Sequence, residues 1–176
     1  MSRSTEFVQT YWQFAQRMER EYDVPALVAM GQSALETGWG KHSPGNMMFG
    51  VKAGKSWAGA KQLLTTTEYL PSYYTREKIY GKFPQVLSIE KLSNGKWKCR
   101  VKDYFRRYPS PYESFADYAK TLRRLNRYAP AFEFSNDPEM FIQKIWEGGY
   151  ATDPNYVEKI IAIMNIIKKK LPKKKD

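Results

Sequence analysis

One stretch of the chain constrains the fold more than any other, because it is apolar on almost every side of a predicted helix. It begins at Pro25, a residue favoured in the first turn of a helix, and ends at Glu36 or Thr37 before the stop signal of Gly38. A helix without a polar face has to be enclosed by the rest of the protein. A chain of 176 residues is long enough to provide that enclosure within one domain.

Further helices are predicted on both sides of a central region. Apolar residues at helical spacing predict an amphipathic helix over residues 5–22, with Ser4 as its cap. Three more helices are predicted after residue 109, and their apolar stripes begin at Phe115, Phe141 and Val157. Asp153 is interpreted as the cap of the last of these helices.

The central region, from about residue 46 to residue 108, has the period of two that is typical of strands. Trp97, Cys99 and Val101 alternate with cationic residues. The Asn-Gly pair at residues 94–95 is a strong hairpin signal, and it pairs this strand with the preceding segment VLSIEKL. The region therefore predicts a small antiparallel β lobe.

These patterns predict an α+β fold in a single domain over residues 1–176. A mainly helical body, residues 5–45 and 109–170, is interrupted in the middle by the β lobe. A basic tail is predicted at 168–176.

Charge and composition limit the classes of function. The chain carries 29 Lys and Arg against 18 Asp and Glu, a formal charge of +11, so its partner is expected to be anionic: nucleic acid, a membrane surface or a bacterial wall polymer. A single cysteine, Cys99, and a single histidine, His42, exclude a disulfide framework and leave little material for a zinc site or a serine triad. We expect no metal or cofactor. No stretch reaches the ~18 apolar residues of a membrane span, so no stable membrane insertion is expected.

Glu36 occupies a position where the local pattern calls for another apolar residue, and the bend Gly38-Trp39-Gly40 follows it. The negative end of the helix dipole and burial both disfavour the ionised carboxylate, which raises its pKa. A carboxylic acid of this kind can protonate the leaving oxygen in glycoside hydrolysis, and Trp39 could form an apolar wall beside it. The alternative is a glutamate exposed to water at the end of a helix.

Five motifs occur in order along the chain: ALETGWGKH, FGVKA, TTTEY, FRRYPS and GGYATDPNY. Together they resemble the glucosaminidase domains of glycoside hydrolase family 73, which include the flagellar peptidoglycan hydrolase and bacterial and phage autolysins. The resemblance covers about residues 24–167. It implies a lysozyme-like fold and cleavage of the β-1,4 bond after N-acetylglucosamine in peptidoglycan.

The resemblance also implies site residues. Glu36 corresponds to the general acid, Glu68 to the second carboxylate and Tyr150 to an active-site tyrosine. The residues expected to bind substrate are Trp39, Asn46, Phe49 and Tyr156. Glu68 could instead be an outward strand carboxylate, Tyr150 could be a packing residue, and Tyr156 could belong to the core.

Two departures from the family pattern are visible in the sequence. Met47 stands where the family usually has an asparagine, and Asn46 lies one residue earlier. The stretch between Tyr69 and Phe105 is longer than the usual hairpin and contains two further carboxylates, Glu77 and Glu90.

Other functions remain open at this point. They are a muramidase or lytic transglycosylase on the same fold, and a non-catalytic wall-binding or nucleic-acid-binding module. The favoured partner is the peptidoglycan glycan strand, bound by a monomer that does not bind nucleic acid. The substrate lies outside the cytoplasmic membrane, but residues 1–12 lack the apolar core of a signal peptide. A phage endolysin, a domain of a longer secreted protein or a truncated chain would each fit.

Overall fold

A computed structural model of the chain describes residues 1–172 and divides them into two compact units. The helical unit contains Met1–Phe49 and the chain from Tyr108 onward, and the sheet unit contains Gly50–Arg107. Helices together with a small antiparallel sheet confirm the predicted α+β class. The predicted basic tail at 168–176 lies partly outside the described residues.

In chain order the elements are α1 (Arg3–Tyr22), α2 (Ala26–Thr37), a 3-10 turn (Pro44–Asn46), β1 (Lys61–Leu70), α3 (Arg76–Lys82), β2 (Gln85–Lys91), β3 (Trp97–Arg106), α4 (Pro111–Arg124), a 3-10 segment (Asn126–Phe134), α5 (Pro138–Glu147) and α6 (Tyr156–Lys168).

The apolar helix α2 is buried as predicted and packs against α1, α5 and α6. Its contact with α6 is close at Gly31, where a Cβ atom would lie 3.1 Å from Cγ2 of Ile160 and 3.2 Å from Cγ of Met164. A glycine at this point lets the two helices approach. The last turn of α2 reaches the surface, since Leu35 is 42% exposed and Glu36 follows it.

The predicted cap residues of two helices are wrong, and each lies two positions from the residue observed. Helix α1 begins at Arg3, and the hydroxyl of Ser2, not Ser4, accepts the backbone N–H of Thr5 at 3.3 Å. Helix α6 has Asn155 as its cap residue. Asp153 accepts the backbone N–H of Asn155 at 2.9 Å, so its carboxylate orders the turn before the helix.

The sheet has the order β1-β3-β2, and both pairs of strands are antiparallel. The pairing of β2 with β3 confirms the predicted hairpin, and Gly95 has the positive φ of 80° that its turn requires. One face of the sheet forms a small core with α3. The buried residues of this core are Leu70, Ile79, Phe83, Trp97, Cys99 and Val101.

A β-bulge corrects the predicted pattern of β2. The sequence places Leu87 and Ile89 on one face, but the register shifts between Val86 and Ser88. The inserted residue reverses the alternation, so Val86 and Ile89 pack against the core and Leu87 is 43% exposed. Glu90, the residue after Ile89, is exposed.

Candidate active site

The end of α2 fixes the position of Glu36. The backbone N–H of Trp39 donates to the carbonyl of Ala34 at 2.8 Å and closes the helix. Gly38 and Gly40 both have positive φ, 58° and 79°, and Trp39 between them has φ 61°. Two glycines therefore allow a left-handed turn that most residues would resist.

Trp39 packs on α1. Its ring lies edge-on to Phe7, with centroids 5.7 Å apart and an interplanar angle of 88°. A Cβ at Gly40 would lie 3.2 Å from the Phe7 ring, so the bend after α2 is seated closely against α1. The tryptophan is half-buried, and α1 sets its position.

The Glu36 carboxylate stands at the surface without a hydrogen bond or an ion pair to any other residue in 1–172. Protein atoms nevertheless displace part of its hydration, and this burial raises the pKa of the carboxyl group above its usual value. Glu36 interacts electrostatically with the hydroxyl groups of Tyr150 and Tyr156. The structure therefore brings these three predicted residues together.

Tyr150 lies within a cluster of tyrosines. Its ring centroid is 6.1 Å from Tyr156, 6.2 Å from Tyr128 and 6.4 Å from Tyr118. Burial, and then the nearby Tyr156 hydroxyl and Glu36 carboxylate, raise the pKa of Tyr150. The hydroxyl is therefore a neutral hydrogen-bonding group at any ordinary pH.

Gln32 links the tyrosines to α2, and it lies four residues before Glu36 on the same helix face. Its amide nitrogen donates to the Tyr156 hydroxyl at 2.8 Å, and its amide oxygen accepts the hydroxyl of Tyr118. Burial raises the pKa of Tyr156 to about 12, although the hydrogen bond from Gln32 acts to lower it. Tyr156 is buried, with 9% of its surface exposed.

Two other residues predicted to bind substrate are held by the protein. Phe49 is buried and stacks on Tyr118 with centroids 4.1 Å apart and an interplanar angle of 6°. Asn46 has φ 57°, and its amide nitrogen donates to the carbonyl of Tyr108 at 2.9 Å. Both side chains thus have defined contacts within the helical unit.

Glu68 lies on β1 in the sheet unit and is ion-paired. Its Oε1 lies 2.6 Å from Nζ of Lys52, and the same ammonium group lies 2.7 Å from Oδ2 of Asp103. The hydroxyl of Thr66 also contacts Oε1 at 3.3 Å. Burial lowers the pKa of Lys52, but its bonds to Asp103 and Glu68 outweigh that effect and raise it, so the lysine stays charged.

The two predicted carboxylates therefore have different environments. Glu36 is unpaired and its pKa is raised, which suits a proton donor. Glu68 is fixed by an ammonium group and a hydroxyl, which suits a residue that acts as an anion. Within residues 1–172 no three acidic, histidine or cysteine side chains are close enough to hold a metal ion.

Sequence reasoning missed Gln32 beside the tyrosines of the helical unit, and Lys52 and Asp103 beside Glu68 in the sheet unit. Gln32 is a polar residue in an otherwise apolar helix, and that contrast could have identified it. Lys52 lies in the motif FGVKA. Asp103 had no sequence signal, because only the strand register shows that it shares a lysine with Glu68.

A carboxylic acid with a raised pKa on a helical body with an inserted sheet is an arrangement suited to a glycoside hydrolase. Residues 12–169 match the model of the Glucosaminidase family, described as mannosyl-glycoprotein endo-beta-N-acetylglucosaminidase. The chain therefore belongs to this family of glycoside hydrolases.

Comparison with known proteins agrees with this family. The chain is 34% identical over 165 residues to the peptidoglycan hydrolase FlgJ of Pseudomonas aeruginosa, covering 90% of this chain and 35% of that protein. The chain thus spans about a third of that relative's length.

Two solved structures are similar over nearly their whole lengths. One is a C-terminally truncated glycoside hydrolase domain of Salmonella typhimurium FlgJ, with TM-score 0.71, 32% identity and coverage of 94% of this chain and 98% of that one. The other is a mutant peptidoglycan hydrolase of Sphingomonas sp. A1, with TM-score 0.70, 31% identity and coverage of 94% and 97%. They confirm the predicted lysozyme-like fold of this family.

Proposed function

We propose that the protein is an endo-β-N-acetylglucosaminidase that cleaves the β-1,4 bond after N-acetylglucosamine in peptidoglycan strands, acting as a monomer outside the cytoplasmic membrane. The observation that carries the proposal is the unpaired Glu36 carboxyl group at the end of a buried helix, with its raised pKa. The names of the relatives, which are peptidoglycan hydrolases, support the choice of substrate. No helix within residues 1–172 is both long enough and apolar enough to cross a membrane.

Glu36 would act as the general acid. Cleavage of a glycosidic bond requires a proton on the leaving oxygen, and a carboxyl group with a raised pKa keeps its proton to a higher pH than an ordinary glutamate does. The absence of an ion pair among the described residues leaves its proton available to a sugar oxygen. Tyr150, whose hydroxyl stays neutral, would donate a hydrogen bond to the acetamido group of the sugar.

Glu68 would act as the second carboxylate. As an anion it would activate water or stabilise the positive charge that develops on the sugar ring in the transition state. Lys52 and Thr66 would hold the carboxylate in one orientation through their contacts with Oε1. Asp103 shares Lys52 and so fixes the lysine in turn.

The substitution Glu36→Gln tests the proposal. The amide has the same shape but cannot deliver a proton, so we expect turnover to fall by roughly 10²–10⁴-fold. Clearing of purified peptidoglycan and release of reducing ends would measure it. Glu158→Gln, which removes one exposed glutamate of α6, is the matched control and should be as active as the wild type.

Mass spectrometry of the digest tests the bond that is cut. New reducing ends on N-acetylglucosamine would support the proposal. Reducing ends on N-acetylmuramic acid would identify a muramidase instead, and anhydro products would identify a lytic transglycosylase. Activity of Glu36→Gln at the wild-type rate would contradict the assignment of Glu36 as the general acid.

A further inference from the structure

The two faces of the sheet differ in charge. The face that carries Glu68 also carries Asp103. Glu68 and Leu64 lie on the same face of β1, and Asp103 of β3 is directly opposite Leu64. The opposite face, called here the cationic face, exposes alternate residues of the central strand β3. Its cationic residues are Lys98, Arg100 and Lys102 along β3, with Lys61 of β1 opposite Arg106 at one end.

The central cations of this face lack partners within the described chain. Lys98, Arg100 and Lys102 form no ion pair with any other residue in 1–172. Glu90 is the one acidic strand residue on this face, opposite Lys98. By contrast, Lys52 on the other face contacts two carboxylates.

Such a row of like charges opposes folding of the sheet. Alternate residues of a strand lie about 7 Å apart on one face, and like charges at such separations repel one another. An anionic partner would relieve this repulsion and would bind more tightly to the row than to scattered lysines. The charge distribution therefore favours a ligand with several negative groups.

Neutral groups beside the cations add to the surface. Thr65 lies directly opposite Lys102 and Thr67 directly opposite Arg100, so a hydroxyl stands next to each of these cations. At the edges Tyr69 is 61% exposed and Leu63 is 43% exposed. Hydroxyl donors and apolar groups among cations match a short peptide that carries carboxylates, methyl groups and amides.

We propose that the cationic face binds the carboxylates of the stem peptides that peptidoglycan strands carry. The inference rests on the proposed function, because it takes peptidoglycan as the polymer that the protein acts on. Each contact is weak by itself, but stems recur along a strand, and binding of one raises the effective concentration of the next. Since the substrate itself supplies these carboxylates, no second polymer is required.

The test measures binding to intact sacculi by sedimentation. The substitution Glu36→Gln is present in every protein, so that the sacculi are not digested. One protein carries in addition Lys98→Gln, Arg100→Gln and Lys102→Gln. The matched control carries Arg20→Gln, Arg124→Gln and Lys169→Gln, which remove the same charge from exposed positions of the helical unit. Circular dichroism would verify that both proteins are folded.

We expect the substitutions in the cationic face to weaken binding by about tenfold, and the control substitutions by less than about twofold. On sacculi whose carboxylates have been converted to amides, the difference between the two proteins should disappear. Equal weakening by both sets would show that net charge alone acts, and would overturn the proposal. A difference that persists on amidated sacculi would also overturn it, in favour of a phosphate polymer or the glycan itself.

A separate measurement, of cleavage of a short glycan, tests the proposed function. With Glu36 intact, the same three substitutions in the cationic face should leave cleavage of a short uncharged glycan unchanged, because the face lies opposite Glu68. If the wild-type protein cleaved no glycan at all, the proposed function would fail. The binding comparison would still decide whether the cationic face recognises carboxylates.

Discussion

At the scale of single residues, the local sequence made Glu36 a candidate acid, and the family resemblance favoured that role, but neither indicated the groups around Glu68. Glu36 stands out because a carboxylate occupies a position where an apolar residue is expected, directly before a Gly-Trp-Gly bend. The contacts of Lys52 with Glu68 and Asp103 join residues 16 and 51 positions apart. No local pattern specifies such contacts, because they depend on strand register.

The raised pKa of Glu36 has a consequence for stability. Burial makes the ionised carboxylate less favourable in the folded protein than in the unfolded chain. The folded protein therefore loses stability as the pH rises from the usual glutamate value of about 4.3 through the raised value, and the loss is complete above it.

We therefore expect Glu36→Gln to be more stable than the wild type at neutral pH, with the difference closing as the pH falls below the usual glutamate range. Denaturant unfolding at a series of pH values would measure the free energy of unfolding of both proteins. Glu158→Gln, which removes one exposed carboxylate from the same unit, is the control for the loss of a negative charge. A wild type more stable than Glu36→Gln at neutral pH would contradict the assigned direction.

Lys52 provides a second prediction at this scale. Lys52→Met removes the ammonium group that holds Glu68, while the aliphatic part of the side chain is kept. We expect turnover to fall by about tenfold or more, with a much smaller change in KM, because an oriented anion is needed in the transition state and not for binding. Lys52→Arg should restore part of the activity. Equal loss in both variants, with reduced thermal stability, would indicate a purely structural role.

At the scale of elements, the sequence predicted α2, the amphipathic helices and the β2–β3 hairpin. It failed where a residue was inserted or a short helix formed. The bulge at Leu87 reverses the alternation of β2, and a period-two pattern cannot reveal an unpaired residue. Helix α3 has only seven residues and a single buried side chain, Ile79, so it presents no repeated apolar face.

The strand faces predict which carboxylate of the sheet unit matters. Glu68 is ion-paired on the same face as Asp103. Glu77 lies exposed in the first turn of α3, and Glu90 lies exposed on the cationic face. We expect Glu68→Gln to lower turnover strongly, while Glu77→Gln and Glu90→Gln stay near the wild-type rate.

Release of reducing ends from peptidoglycan by the three purified variants would measure this. The two exposed glutamates are the matched controls, since each substitution removes one negative charge from the same unit. Full activity of Glu68→Gln would instead point to activation of water by the acetamido group of the substrate.

At the scale of the whole molecule, the net charge of +11 should act on the approach to the wall rather than on the chemistry. Exposed charges are screened within about 8 Å at physiological salt. We expect lysis of intact walls to slow as salt rises, while cleavage of a short neutral glycan barely responds. Parallel rate measurements on the two substrates would show this, and equal salt sensitivity would contradict it.

The chain segments before and after the sheet unit are hydrogen-bonded to each other within the helical unit. Gly45 accepts the backbone N–H of Tyr108 at 2.9 Å, and Asn46 donates to the carbonyl of Tyr108. The 58-residue insertion thus starts and ends at one anchored point. Because the entropy lost on closing a loop grows only with the logarithm of its length, residues can be added between these anchors at little expense to the helical unit. Evolution can therefore vary the sheet unit, its length and its surface charge, while the scaffold that presents Glu36 is inherited unchanged.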